Sequence, residues 1–175
     1  MAIGARLTPT FAAAIVLAAS LLVLGTALAS QYWGGLVPCP LCLTQRIPYW
    51  VTIGLSAAAA AGSWALAGTA MTRLCQGLLA LCAVAFAAGA GVAVYHVGVE
   101  QHWWSAGACM SQLGEFKTVE EFRAALLQTP VARCDETAWS LFGISMAGYN
   151  AIVSAGLTAG SLFLVVSMAP QRETV

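Results

Sequence analysis

The sequence predicts an all-α integral membrane protein: a four-transmembrane-helix bundle with two extracytoplasmic loops that carry cysteines, and a short interfacial helix in the second loop. Three observations predict it. The 175 residues hold seven Lys or Arg and seven Asp or Glu, so 8% are charged while 60% are hydrophobic, and the mean hydropathy is +0.82. A soluble domain carries about 25% charged residues. Second, no charge occurs between Arg6 and Arg46, Arg46 and Arg73, Arg73 and Glu100, or Glu136 and Arg172. Each interval accommodates the ~20 apolar residues that cross a bilayer as helix. Third, eight of the charges fall between Glu115 and Glu136, which marks one sizeable polar loop. The zero net charge leaves nucleic-acid binding and long-range steering without a basis. So much apolar surface excludes disorder.

The spans run near Thr10–Ala29, Ile47–Gly68, Leu74–Gly98 and Ser140–Met168 of a single membrane domain, 1–175, with loops at 30–46 and 99–139. Arg6, the first apolar run and Ala27-Leu28-Ala29 together resemble a signal peptide. The run exceeds the usual 7–15 residues of a signal core, so it reads as a retained span. Arg6, Arg73 and Arg172 occupy short segments on one side, and Tyr32, Trp33, Trp103, Trp104 and Trp139 lie beyond the spans on the other. Cation density and the aromatic belt both put the termini in the cytoplasm and the cysteine loops outside.

In the third and fourth spans, Ala87-Ala88-Gly89-Ala90-Gly91 and the four-residue repeat Gly143, Ala147, Ala151, Ala155, Ala159 predict close backbone approach in lipid. Within the large loop, Thr118 and Glu121 form a capping-box pattern, and Val119, Phe122 and Leu126 share one helical face. That combination predicts a short helix lying on the membrane surface.

The six cysteines divide by location. Cys75 and Cys82 are seven residues apart in the third span, about 10.5 Å along a helix. They are too distant to bridge and read as small buried hydrophobes. Cys39 and Cys42 form a C-x-x-C between the first two spans, and Cys109 and Cys134 lie in the large loop, all on one side. Structural disulfides, a soft-metal (zinc) site of four thiolates, and thiol–disulfide exchange compete for these four. Cys109 and Cys134 stand 25 apart without a second x-x-C, which weakens the metal reading. Cys42 at the start of a helix, with Arg46 one turn on, has surroundings that favour a thiolate. Arg46 also suits a plain interfacial anchor.

Pro38-Cys39-Pro40-Leu41-Cys42 followed by Gln45-Arg46-Ile47-Pro48-Tyr49 resembles the signature of the bacterial disulfide bond formation protein B family, DsbB. Cys134, Glu136, Trp139, Gly143 and Met146 resemble the segment that leads into that family's last span. The vitamin K epoxide reductase relatives place their loop cysteines before the C-x-x-C, whereas here they follow it. The resemblance implies a membrane protein-disulfide oxidoreductase of the inner membrane with ubiquinone or menaquinone as electron acceptor. Its implied partner is a soluble periplasmic thioredoxin-fold oxidase of the DsbA kind, which attacks Cys109. Cys134 then resolves that bond or pairs with Cys39, and Cys42 hands electrons to the quinone. Arg46 is implied to hydrogen-bond the quinone carbonyl, and His96, thirteen residues before Cys109, to lie beside it.

Overall fold

The computed structural model describes residues 8–66, 68–105, 118–120 and 132–168. Four long helices carry the fold: α1 (Pro9–Tyr32), α3 (Ile47–Ala65), α4 (Thr69–Glu100) and α5 (Met146–Ser167), with a five-residue α2 (Pro40–Thr44) before α3. Among the described residues α1, α4 and α5 are each long and apolar enough to cross a membrane. Helices α1 and α5 start where the sequence supplies a side-chain cap. Thr8 Oγ1 accepts the Phe11 N–H ahead of Pro9, and Ser145 Oγ accepts the Gly148 N–H, so one orphan amide at each end is satisfied.

The last helix begins at Met146, later than the span read from Ser140, because residues 140–145 form a hairpin. Strands β1 (Ser140–Leu141) and β2 (Ile144–Ser145) pair antiparallel. The two residues between them, Phe142 and Gly143, have φ of 52° and 77°, the left-handed geometry of a tight hairpin turn. A run of apolar residues hides this turn from a hydropathy reading. The interfacial helix read around Thr118–Leu126 lies largely outside the described residues, as does Cys109.

Packing is sequential: α1 lies on α3, α3 on α4 and α4 on α5, while α1 and α5 hardly touch. The bundle is therefore open along that side. Phe86, Leu79, Cys75, Cys82, Ala12, Ala13 and Tyr49 form its buried centre. Cys75 and Cys82 are free, fully buried thiols. Polar side chains tie helices together where no hydrophobic effect acts between them: Ser20 Oγ meets Thr52 Oγ1 at 3.0 Å, and Gln76 Nε2 donates to the Val165 carbonyl at 3.2 Å.

The small-residue repeat on α5 is corrected by the structure. Ala147 is buried, but Ala155 and Ala159 are exposed, and the packed face runs through Ala147, Ser154 and Ser161. Four-residue steps advance 400° each at 3.6 residues per turn, so a strict repeat drifts off the contact face within three steps. Seven-residue steps stay on it. Gly89 of α4 marks a close approach between helices: a Cβ there would lie 3.2 Å from the Pro48 ring and 3.7 Å from Ser154 Oγ, whereas one on Gly91 would meet nothing within 4 Å. Gly89→Leu should therefore destabilise the folded bundle by ~1–3 kcal/mol and Gly91→Leu much less, measured by denaturant unfolding in detergent micelles. Equal losses would contradict the assigned contact.

Candidate functional site

Cys39 ends the extended segment after α1 and serves as N-cap of α2, its sulfur accepting the Cys42 N–H at 3.3 Å. Pro40 occupies the first helical turn, where a missing N–H leaves nothing unsatisfied. The proline between the cysteines thus starts the helix that presents Cys42. Cys39 is buried at 4% exposure and Cys42 is half-buried. Both are free thiols, and the Cys39 S–H donates to Cys42 Sγ at 2.8 Å.

Electrostatics separate the pair. The Cys39 hydrogen bond, ahead of the Cys39 backbone contact and the Arg46 charge, brings the Cys42 thiol down to about 7. Burial and the Glu100 carboxylate oppose this. Cys39 is pushed far up, first by that same hydrogen bond and then by burial. The anion therefore belongs on Cys42 and the proton on Cys39.

Arg46 sits at the break between α2 and α3. Its guanidinium donates to Gln31 Oε1 at 2.5 Å and to the Ala27 carbonyl at 3.4 Å, both on the last turns of α1. His96, in the last turns of α4, is buried at 3% exposure with Nε2 3.6 Å from Cys39 Sγ and Nδ1 2.7 Å from Gln45 Nε2. His102, in contrast, is exposed, its Nδ1 3.1 Å from the Glu100 carbonyl oxygen.

The large loop returns to this point. Cys134 is buried and disulfide-bonded, and it packs with Cys39, Leu41 and Val99. The Cys39 sulfur, a His96 ring nitrogen and the Cys134 sulfur all lie within 4.8 Å of one another. Arg133 bridges Asp135 at 2.7 Å and Glu136 at 3.2 Å at the surface beside it, shaping the turn that presents Cys134. As a metal centre this cluster is incomplete, because a disulfide sulfur is not a thiolate ligand.

Two cavities flank the thiols. One of about 550 Å³ lies in the gap between α1 and α5, lined by Leu22, Val23, Ala27, Met146 and Val153, with Cys42, Gln45, Arg46, Tyr49, His96 and Asn150 as its polar wall. Its size and its few convergent polar groups suit a small apolar ligand with polar substituents. The other, about 270 Å³, is polar and includes Glu100, Arg133 and Glu136. Cys42 and His96 line both.

Of the residues singled out from sequence, the structure brings together Cys39, Cys42, Arg46, His96 and Cys134. Sequence reading missed the roles of Gln45, Tyr49, Glu100, Asn150 and Ser154. A signal existed: Gln45 and Tyr49, then Asn150 and Ser154, are polar pairs four residues apart in largely apolar stretches, the spacing of one helical face.

The family model described as disulfide bond formation protein DsbB matches residues 9–164. A disulfide bond formation protein B of Nitrosospira multiformis is 30% identical over 162 residues, covering 86% of this chain and 88% of that one. A disulfide bond formation protein B 2 of Pseudomonas syringae pv. syringae is 33% identical over 154 residues, covering 83% and 81%. No solved structure matches the chain.

Proposed function

Because this chain belongs to the disulfide bond formation protein B family, a family of membrane disulfide oxidoreductases, we propose that it is a quinone-dependent thiol oxidase. It reoxidises a soluble periplasmic thioredoxin-fold oxidase of the DsbA kind and passes the electrons to ubiquinone or menaquinone. One observation carries the reading: a free Cys39–Cys42 dithiol stands between a disulfide-bonded Cys134 and an apolar cavity.

The relay conserves electrons at each exchange. The partner's dithiol reduces the Cys109–Cys134 disulfide and leaves oxidised. Those two thiols reduce a Cys39–Cys42 disulfide through a Cys134–Cys39 bond, regenerating the loop disulfide and leaving the dithiol. Unbridged Cys39 and Cys42 beside a disulfide-bonded Cys134 support this order of exchange. A membrane quinone, when bound, supplies the two-electron acceptor. Cys42, held as thiolate at the cavity wall, delivers the electron pair, and Cys39 closes the disulfide onto it, releasing its proton. Arg46 orients an acceptor carbonyl and stabilises negative charge that develops there. His96, at the junction of both cavities, holds the Cys39 sulfur in place.

Sidedness follows from the same reading. Helix α3 is the fourth span, the termini lie in the cytoplasm, and the segments 30–46 and 99–139 face the periplasm from the inner membrane. Arg6, Arg73 and Arg172 on one side and the exposed Tyr32, Trp33 and Trp103 on the other support it.

The test is alkylation with mass spectrometry on protein purified in mild detergent. Loaded anaerobically with a reduced thioredoxin-fold partner and no quinone, Cys39 and Cys42 should be alkylated and Cys134 protected. Adding ubiquinone should protect all three and yield hydroquinone. Four alkylatable loop thiols with stoichiometric zinc would overturn the oxidase reading in favour of a soft-metal site.

A further inference from the structure

We propose that Gln45 and Asn150 are positioning residues that aim every proton of a buried hydrogen-bond chain, from Tyr49 to Cys39, towards the Cys42 sulfur. The Tyr49 hydroxyl donates to Asn150 Oδ1 at 2.6 Å, and Asn150 Nδ2 donates to Gln45 Oε1 at 2.5 Å. Gln45 Nε2 meets His96 Nδ1 at 2.7 Å, His96 Nε2 meets Cys39 Sγ at 3.6 Å, and the Cys39 S–H donates to Cys42 Sγ at 2.8 Å. Ser154 Oγ lies 2.8 Å from the Tyr49 hydroxyl and anchors the far end.

An amide has a donor end and an acceptor end, so it transmits polarity along a chain. Gln45 offers its oxygen to Asn150 and has only N–H for His96. Nδ1 of His96 must therefore accept, and the proton of the neutral ring sits on Nε2. That N–H faces Cys39, whose sulfur also receives the Cys42 N–H. The Cys39 proton is then left to point at Cys42. The imidazole also donates to the Cys134 backbone, so with Nδ1 accepting from Gln45 its one N–H is shared between that carbonyl and the Cys39 sulfur, which holds the ring between the two cysteine segments. Reversing the chain would make Nε2 an acceptor, turn the Cys39 S–H towards the ring, and strip Cys42 of its donor.

The polarity thus decides which of two adjacent sulfurs carries the anion, and hydrogen bonds aligned in one sense reinforce one another. It places the anion on the sulfur that lines the apolar cavity. The value of that placement for catalysis rests on the proposed oxidase function; the polarity itself does not.

The chain has two histidines, so ¹⁵N-histidine labelling of the full-length protein in detergent, with His102→Gln for assignment, reads the His96 tautomer directly at alkaline pH. The expected result is a proton on Nε2 and none on Nδ1. Asn150→Asp presents acceptors to both neighbours, so Gln45 must turn its N–H to Asp and its oxygen to His96. Nδ1 should then gain the proton, and the preference of an alkylating agent for Cys42 over Cys39 should fall roughly tenfold, the scale of one hydrogen bond to a charged group. If Asn150→Asp does not fold, Gln45→Met removes the donor to Nδ1 at similar volume and should lower the same preference. A wild-type ring protonated on Nδ1 would overturn the proposal, as would an unchanged alkylation preference in whichever variant folds. Failure of the oxidase reading would show separately, as absent quinone consumption with the Nε2 tautomer intact.

Discussion

Cys42→Ser should abolish quinone-coupled turnover, lowering kcat/KM on the order of 10³-fold or more, and should accumulate a disulfide between Cys39 and Cys134. The Cys39 sulfur lies within 4.8 Å of the Cys134 sulfur, so exchange between the loops needs little movement. In the variant that bond forms when the Cys39 thiol displaces Cys109 from the loop disulfide, releasing Cys109 as a thiol; no Cys42 thiol remains to close the C-x-x-C, and electrons have no exit to the cavity that Cys42 lines in the unaltered chain. Non-reducing peptide mapping of protein purified with its partner present should recover the Cys39–Cys134 cross-link. Persistent turnover with Cys39 free would sink the assignment of Cys42 as the electron-donating sulfur. Cys39→Ser should fail at an earlier step, with no inter-loop bond at all.

Arg46→Ala should raise the KM for quinone roughly tenfold to hundredfold, with a smaller effect on folding. The guanidinium lines the cavity and spends its observed bonds on Gln31 and the Ala27 carbonyl of α1, so its loss also loosens one wall. Arg46→Lys keeps the charge without the planar fork and should fall between. The same variant tests the thiolate. With Cys42 held at about 7, below its ordinary 9.0, the anion is present above that pH and is lost as pH falls through it. Alkylation of wild-type Cys42 should therefore reach half its maximal rate near pH 7, and Arg46→Ala should shift the midpoint upward because it removes one of the groups that favour the anion. A midpoint and a quinone KM both unmoved would reduce Arg46 to an anchor of α1.

Much of the helical layout is legible in the sequence. Charge cannot enter the bilayer cheaply, so the gaps between Arg6, Arg46, Arg73, Glu100, Glu136 and Arg172 outlined the long helices. The C-x-x-C with Arg46 one turn on pointed to the end of the bundle where the structure gathers polar groups, because a thiolate is favoured beside a cation and a helix start. What failed was finer. The hairpin at residues 140–145 carries no charge and few turn residues beyond Gly143, and the four-residue stripe on α5 assumed a straight line along a surface that turns.

Sequence alone determined that this chain is helical and membrane-embedded, that four of its cysteines come as a C-x-x-C and a pair farther along the chain, and which family it belongs to. Each of these is a local property, written in composition, spacing or short motifs. Tertiary structure decided the rest: that Cys134 meets Cys39, that α1 and α5 part to leave a cavity at Cys42, and that Gln45 finds Asn150 across 105 residues. Such meetings depend on how four helices stack, and stacking is set by long-range packing at residues like Gly89 and Ser154. No window of sequence contains both partners of those contacts.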